Sequence, residues 1–245
     1  MTVSGAPADK GSRLVHTNDA LHVAGDASRF VSRGGLKLAA ALERFAVDVR
    51  GKRALDAGAS TGGFTDCLLQ HGAAHVVAVD VGYGQLHERL RIDGRVSVLE
   101  RTNVRRLVLD DVGGGPFPVV TADLSFISLA AVLPNLLALA SPGADVVALV
   151  KPQFEAGRAE ASRGRGVIRD PAVWRRVLGE VAAAIRAHDA VMMGIMVSPL
   201  RGADGNVEFL VHARAHERGA TTLDLDAVVR EAGGAGGASR AGGDT

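Results

Sequence analysis

The stretch DAGASTGGFT, residues 56–65, decides the fold. It lies where the first strong apolar run, RALDAGA, gives way to the helical pattern GGFTDCLLQHG. Its glycines allow close backbone approach, and the start of a helix favours a negative group. One reading is a turn that holds a nucleotide-like cofactor. A second is a catalytic-serine elbow, because Gly58-Ala59-Ser60-Thr61-Gly62 also spells G-x-S-x-G. A third is a glycine turn with no ligand.

Working outward, strands alternate with helices. Strand patterns fall at 53–59, 74–82, 96–101, 119–127 and 145–152, and helical patterns at 34–47, 62–72, 85–93, 128–140 and 171–189. Asp170 and Pro171 read as the N-cap and first turn of the last helix. Two further strands, 190–199 and 206–215, are joined by a short Gly-containing turn, so this pair should be antiparallel. The alternation predicts an α/β fold with an open, mostly parallel sheet of seven strands, helices on both faces and an antiparallel final strand. DALHVAG, residues 19–25, could form one short strand, and the Gly/Ala/Ser-rich tail 231–245 is expected to be disordered.

Bulk properties narrow the class. The 245 residues fit one domain with small additions, and 47% hydrophobic residues suffice for a sizeable core. Only 4% are aromatic, so that core must rest on Val, Leu and Ala. The net charge of +1 requires any basic footprint to be local. Cys67 is the single cysteine, which excludes an intramolecular disulfide and a cysteine-cluster metal site and suits a reducing cytoplasm. His212 and His216 are four apart, but they fall in or just after a strand, where that spacing does not build a metal site; no metal is expected. The N-terminus has no apolar signal core, and the longest apolar-rich run, 129–140, contains Pro134 and falls short of the roughly 20 residues of a membrane span. A cytoplasmic protein with no membrane partner is expected.

The cofactor reading gains from the next strand, which ends at Asp80, 22 residues past Gly58, where an acidic side chain takes ribose hydroxyls. Ser60 stands where a dinucleotide fingerprint needs its second glycine, for pyrophosphate approach. A ligand with a ribose and a carboxylate but no pyrophosphate fits better, and S-adenosylmethionine has those features. The serine elbow has acid and histidine candidates, including His212 and His216, but leaves Asp56 and Asp80 without a role.

Seven collinear blocks between about residues 31 and 215 carry a resemblance: SRGGLKL, LDAGASTGGFTD, VVAVDVGYGQL, LERTN, ADLSFISL, LVKPQFE and SPLRGADGNVEFL. Together they resemble the TlyA, or hemolysin-A-like, family of ribosomal-RNA 2′-O-methyltransferases, related to the FtsJ methyltransferases. The resemblance implies a Rossmann-like class I fold, S-adenosyl-L-methionine as cofactor, and methylation of cytidine ribose in small- or large-subunit ribosomal RNA. It also implies a Lys-Asp-Lys-Glu tetrad, which falls on Lys37, Asp123, Lys151 and Glu208. Many members begin with an S4-type RNA-binding domain; residues 1–30 resemble only its end and linker. The domain expectation is therefore a short segment 1–30, a catalytic domain 31–217 and an extension 218–245.

The chemistry requires a base, because a ribose hydroxyl is a poor nucleophile until its proton leaves. Lys151 is expected to serve, with Asp123 and Glu208 orienting it and Lys37 tuning the field and holding RNA. An unperturbed lysine sits near ~10.4, so burial and a second cation must oppose the carboxylates. Each of the four has a plain alternative as a strand end, turn acceptor, edge charge or wet helical face; their joint fit to one pattern favours function. Cofactor contacts are expected from Asp56, Gly58, Ser60, Thr61, Gly62 and Asp80, with Tyr83 either stacking on adenine or an ordinary loop aromatic, and Asn103 either at the cofactor or in a turn. Arg158, Arg163, Arg165 and Arg169, on the expected flexible loop 154–170, could contact RNA phosphates or simply be solvated. The competing functions are a non-catalytic cofactor- or RNA-binding relative, a membrane-active hemolysin and a serine hydrolase.

Overall fold

A computed structural model describes residues 2–4, 6–8, 14–16, 19, 21–22, 29–219 and 221–234. The main sheet is built from β1 (Arg53–Ala57), β2 (His75–Val79), β3 (Val96–Leu99), β4 (Phe117–Ala122), β5 (Ala140–Val150), β6 (Ala190–Val197) and β7 (Phe209–Ala215). Its spatial order is β3-β2-β1-β4-β5-β7-β6. Neighbours from β3 through β5 pair in parallel, and β7 runs antiparallel to both β5 and β6. A two-residue strand at Leu21–His22 lies within the expected segment 19–25, paired with Thr2–Val3, which also pairs with Ala6–Pro7; residues 23–28 are outside the described set.

The central strands are mostly apolar because both faces of the sheet are covered there. Side chains alternate between two cores, as a period of two requires. Leu55, Val77, Val120, Val146, Ala148 and Phe209 face one core, shared with Leu133 and Leu136 of α4 (Leu129–Leu139) and Val177 and Leu178 of α7 (Pro171–Ala187). Ala54, Val76, Val119, Val147 and Leu210 face the other, with Leu38 and Leu42 of α1 (Gly34–Arg44) and Phe64 and Leu68 of α2 (Gly63–Gln70). Asp170 caps α7 by accepting from the Ala172 amide at 2.9 Å, with Pro171 in the first turn, as its sequence predicts.

Two expectations need correction. Part of the 154–170 stretch is helical: after α3 (Glu88–Arg91), the short helices α5 (Pro152–Glu155) and α6 (Arg158–Arg163) follow β5 and α4, and Glu160 of α6 pairs with Arg176 of α7. The C-terminal extension likewise forms α8 (Leu225–Gly234), which buries Val229 and Ala232 against α7 and β6. Composition hid this helix because its glycines cluster at the end while its apolar positions keep a helical period; residues 235–245 lie outside the described set. Among the described residues, no helix is long and apolar enough to cross a membrane.

The strand order places the site. From β1 the chain runs outward through β2 and β3, then returns to the other side of β1 for β4 and β5. Loops leaving β1 and β4 therefore diverge to opposite faces, and the crevice beyond their carboxyl ends is where open α/β sheets take ligands.

Candidate active site

Two adjoining hollows open at that crevice, of about 330 and 420 Å³. Gly58, Ser60, Asp123 and Ser125 line both and form the wall between them. The wall is narrow because β1 and β4 continue to pair into their loops: the Asp123 amide donates to Ala57 O at 3.0 Å. Gly58 has φ +85°, and a Cβ there would lie 2.4 Å from Asp123 O. Only glycine meets both conditions.

The smaller hollow holds four charged side chains from four separate elements. Lys37, on α1, pairs with Glu208 at 2.5 Å. Lys151, at the end of β5 and the N-cap of α5, approaches Asp123 Oδ1 at 2.6 Å and donates to Ser125 Oγ at 3.0 Å. The Lys151–Asp123 contact is an ion pair at an angle outside hydrogen-bond geometry, so Asp123 Oδ1 keeps no hydrogen-bond partner although it is buried. Glu208 lies just before β7 rather than within it, and its backbone carbonyl accepts from the Ser198 amide at 2.8 Å. Arg33 and Arg201 also line this hollow.

The larger hollow carries Asp80 at its edge. Asp80 accepts from the Ser60 amide at 2.8 Å and from the Gly82 amide at 2.7 Å, which fixes its carboxylate at the end of β2. Val79, Val81, Phe126 and Ile127 supply apolar walls. Asn103 lines the hollow while its Oδ1 caps the following turn through the Arg105 amide at 3.0 Å, so the turn and site placements coexist. Ser60, at φ +48°, donates through Oγ to Gln85 Oε1 at 3.3 Å. Among the described residues no histidine lines either hollow, so Ser60 lacks the histidine partner of a serine elbow.

Residues 30–215 match the FtsJ-like methyltransferase family. A Mycobacterium tuberculosis protein named 16S/23S rRNA (cytidine-2′-O)-methyltransferase TlyA is 50% identical over 232 residues, 94% of this chain and 86% of that protein. The chain belongs to the TlyA family of FtsJ-like methyltransferases. A crystal structure of a Lactococcus lactis protein bearing a hemolysin name is 42% identical, with a TM-score of 0.80 over 84% of this chain and 99% of that one. An S-adenosylmethionine-dependent methyltransferase structure from Listeria monocytogenes, 15% identical with a TM-score of 0.56 over 76% of this chain and 99% of that one, shares the class I fold.

Within this TlyA-family site, Lys37, Asp123, Lys151 and Glu208 converge on one hollow, and Gly58, Ser60, Thr61, Asp80 and Asn103 line one or both. Other expected residues stand elsewhere. Asp56 is 0% exposed and lines neither hollow: Thr65 donates to it at 2.6 Å and Thr121 at 3.3 Å, so it braces the turn from beneath. Gly62 lies behind the wall, at the N-cap of α2, where a Cβ would strike Leu90. Tyr83 is 68% exposed and lies against the Arg101 guanidinium, 4.3 Å from its ring centre, instead of lining the larger hollow. Arg163, Arg165 and Arg169 are exposed and line neither hollow; Arg158 begins α6, and its side chain is outside the described set. His212 pairs with Asp145 at 2.9 Å, and His216 Nε2 lies 2.9 Å from Leu137 O, away from both hollows.

Sequence reasoning missed Arg33, Ser125 and Arg201. Each sits inside a block that carried the family resemblance, so the signal was present but pointed to other positions in the block.

Burial pushes the Asp56 carboxyl up to about 7, and the nearby Asp123 carboxylate adds to the rise, against the Thr65 and Thr121 bonds. The folded chain therefore holds this proton where the unfolded chain releases it. The resulting stability is present below the unfolded value near ~3.9 and is lost as pH rises through about 7. Asp56→Asn should flatten this loss, by a few kcal/mol at most, in urea unfolding followed from pH 4.5 to pH 8. Gly58→Ala should destabilise the chain by roughly 1–3 kcal/mol or more in the same assay, because the loop must both adopt a disfavoured φ and part from Asp123.

Proposed function

We propose that this chain transfers a methyl group from S-adenosyl-L-methionine to a ribose 2′-hydroxyl of ribosomal RNA, at cytidine, with Lys151 as the general base. The observation that carries the proposal is the meeting of Lys37–Glu208 and Lys151–Asp123 in a hollow one wall away from Asp80. The name and the 50% identity of the Mycobacterium relative support the RNA class and the nucleoside.

The residues fit the cofactor. An adenosine suits the larger hollow, with its ribose hydroxyls at Asp80 and its base between the apolar walls. Gly58, which puts no side chain on the wall between the hollows, would let the rest of the molecule reach the smaller hollow. When bound, S-adenosylmethionine supplies an electrophilic methyl group. Asp123 Oδ1 is buried and makes no hydrogen bond beyond its ion pair with Lys151, which leaves it acceptor capacity for a ligand.

The RNA enters the smaller hollow. With the cofactor bound, Lys151 Nζ would take the 2′-hydroxyl proton as the oxygen bonds to the methyl carbon and the methyl–sulfur bond breaks, its electron pair leaving with S-adenosylhomocysteine, so the amine must present a free lone pair at that moment. Asp123 and Ser125 hold the Lys151 amine on one side. Glu208 holds Lys37, whose charge faces the oxygen as its proton departs. Arg33 and Arg201 flank the opening without a carboxylate partner among the described residues, which supports them as contacts for the phosphates beside the target ribose. The catalytic unit is residues 31–217, acting on ribosomes in the cytoplasm.

Lys151→Ala should lower methyl transfer from labelled cofactor to undermethylated ribosomal subunits by about 10²–10⁴-fold, while S-adenosylhomocysteine still binds. Transfer at the wild-type rate would remove Lys151 from the role of base. Arg33→Gln with Arg201→Gln should weaken RNA binding and reduce the slope of log affinity against log salt by about 0.7 for each phosphate no longer neutralised. An unchanged slope would place the phosphates elsewhere.

A further inference from the structure

We propose that Glu155 is a positioning residue: it clasps the loop 123–129 to the one-turn helix that begins at Lys151, and so holds the wall between the two hollows. This inference rests on the methyltransferase reading of the site.

The contacts form an ordered series. Lys151 and Glu155 stand at the two ends of α5, four residues apart and hence on one side of the turn. Lys151 meets the start of the loop, at Asp123 and Ser125. Phe154 meets its middle, with ring centres 5.2 Å from Phe126. Glu155 meets its end: Oε2 accepts from Ser128 Oγ and Oε1 from the Leu129 amide, both at 2.6 Å. The loop is thus tied to α5 at both ends, with one ring contact between them.

Glu155 also does work that the local sequence leaves undone. Ser128 is the N-cap residue of α4, yet its side chain caps no amide of its own helix. The carboxylate of Glu155 takes both the hydroxyl and the first-turn amide instead. Between the two anchors, Phe126 is 91% exposed and held at φ +63°, a conformation a bulky side chain adopts only when its neighbours impose it. Burial raises the Glu155 carboxyl, with Glu180 adding to the rise and the Ser128 and Leu129 bonds opposing it. Even half-buried, a carboxylate is an unfavourable choice for stability alone, since a neutral side chain of the same shape avoids the desolvation cost. Its value lies in two short bonds that set where Ser125 and Asp123 stand relative to Lys151.

The test uses the full chain with Glu155→Gln, which keeps the shape, and Ser128→Ala, which removes one hydrogen bond from the opposite side. Amide hydrogen exchange over 125–131, single-turnover methyl transfer and S-adenosylhomocysteine binding are measured together. Exchange over the loop should quicken and the single-turnover rate should fall roughly 10- to 100-fold, with cofactor affinity within about threefold and the melting temperature not lowered. The double variant should be no slower than Glu155→Gln. Wild-type exchange in Glu155→Gln, or faster exchange with an unchanged rate, overturns the inference, as does a rate loss matched by a fall in melting temperature. If the wild-type chain moves no methyl to RNA, the functional reading fails instead, and exchange alone decides whether Glu155 holds the loop.

Discussion

The close passage of Gly58 against the backbone of Asp123 is the constraint on which the site depends. Two parallel neighbours, β1 and β4, send their loops to opposite faces of the sheet, and the gap between those loops must be narrow enough to form one wall and open enough to be crossed. Glycine at a left-handed φ, with the Asp123 amide bonded to Ala57, satisfies both. Everything placed on either side follows from that wall: Asp80 and the apolar lining toward one hollow, the two lysine–carboxylate pairs toward the other.

Charge is distributed with similar economy. The two ion pairs come from four elements that approach only at the carboxyl edge of the sheet, so neither forms until the sheet is assembled. Beneath them, Asp56 is held by two threonine hydroxyls with no cation beside it, and it takes up a proton more readily than an exposed carboxyl would. The middle of β5 shows the contrasting solution. Asp145, also buried, is surrounded by His212, Arg214 and Lys52, which together hold its carboxyl below the ordinary value. Burial raises both carboxyls; at Asp145 the His212 hydrogen bond and the Arg214 and Lys52 charges outweigh it.

The alternation of strands and helices, the reversed final strand and the Asp170 cap of α7 were legible in the sequence because each rests on local periodicity or on a local side-chain-to-backbone bond. So was the set Lys37, Asp123, Lys151 and Glu208, but only through the family resemblance, since no spacing rule brings residues 171 positions apart together. The helix at Leu225–Gly234 was not legible, because the glycine content of the tail masked a short amphipathic period.

What the sequence determined by itself is the class of sheet, the glycine turn and the residue types available for chemistry. The tertiary structure decided which of those residues share a space. It withdrew Asp56 and Gly62 behind the wall and laid Tyr83 against Arg101, because burial and close packing depend on elements far apart in the chain. It brought Arg33 and Arg201 to the mouth of the hollow for the same reason. Local pattern fixes what a segment can become; only the order in which the strands are laid side by side fixes what it meets.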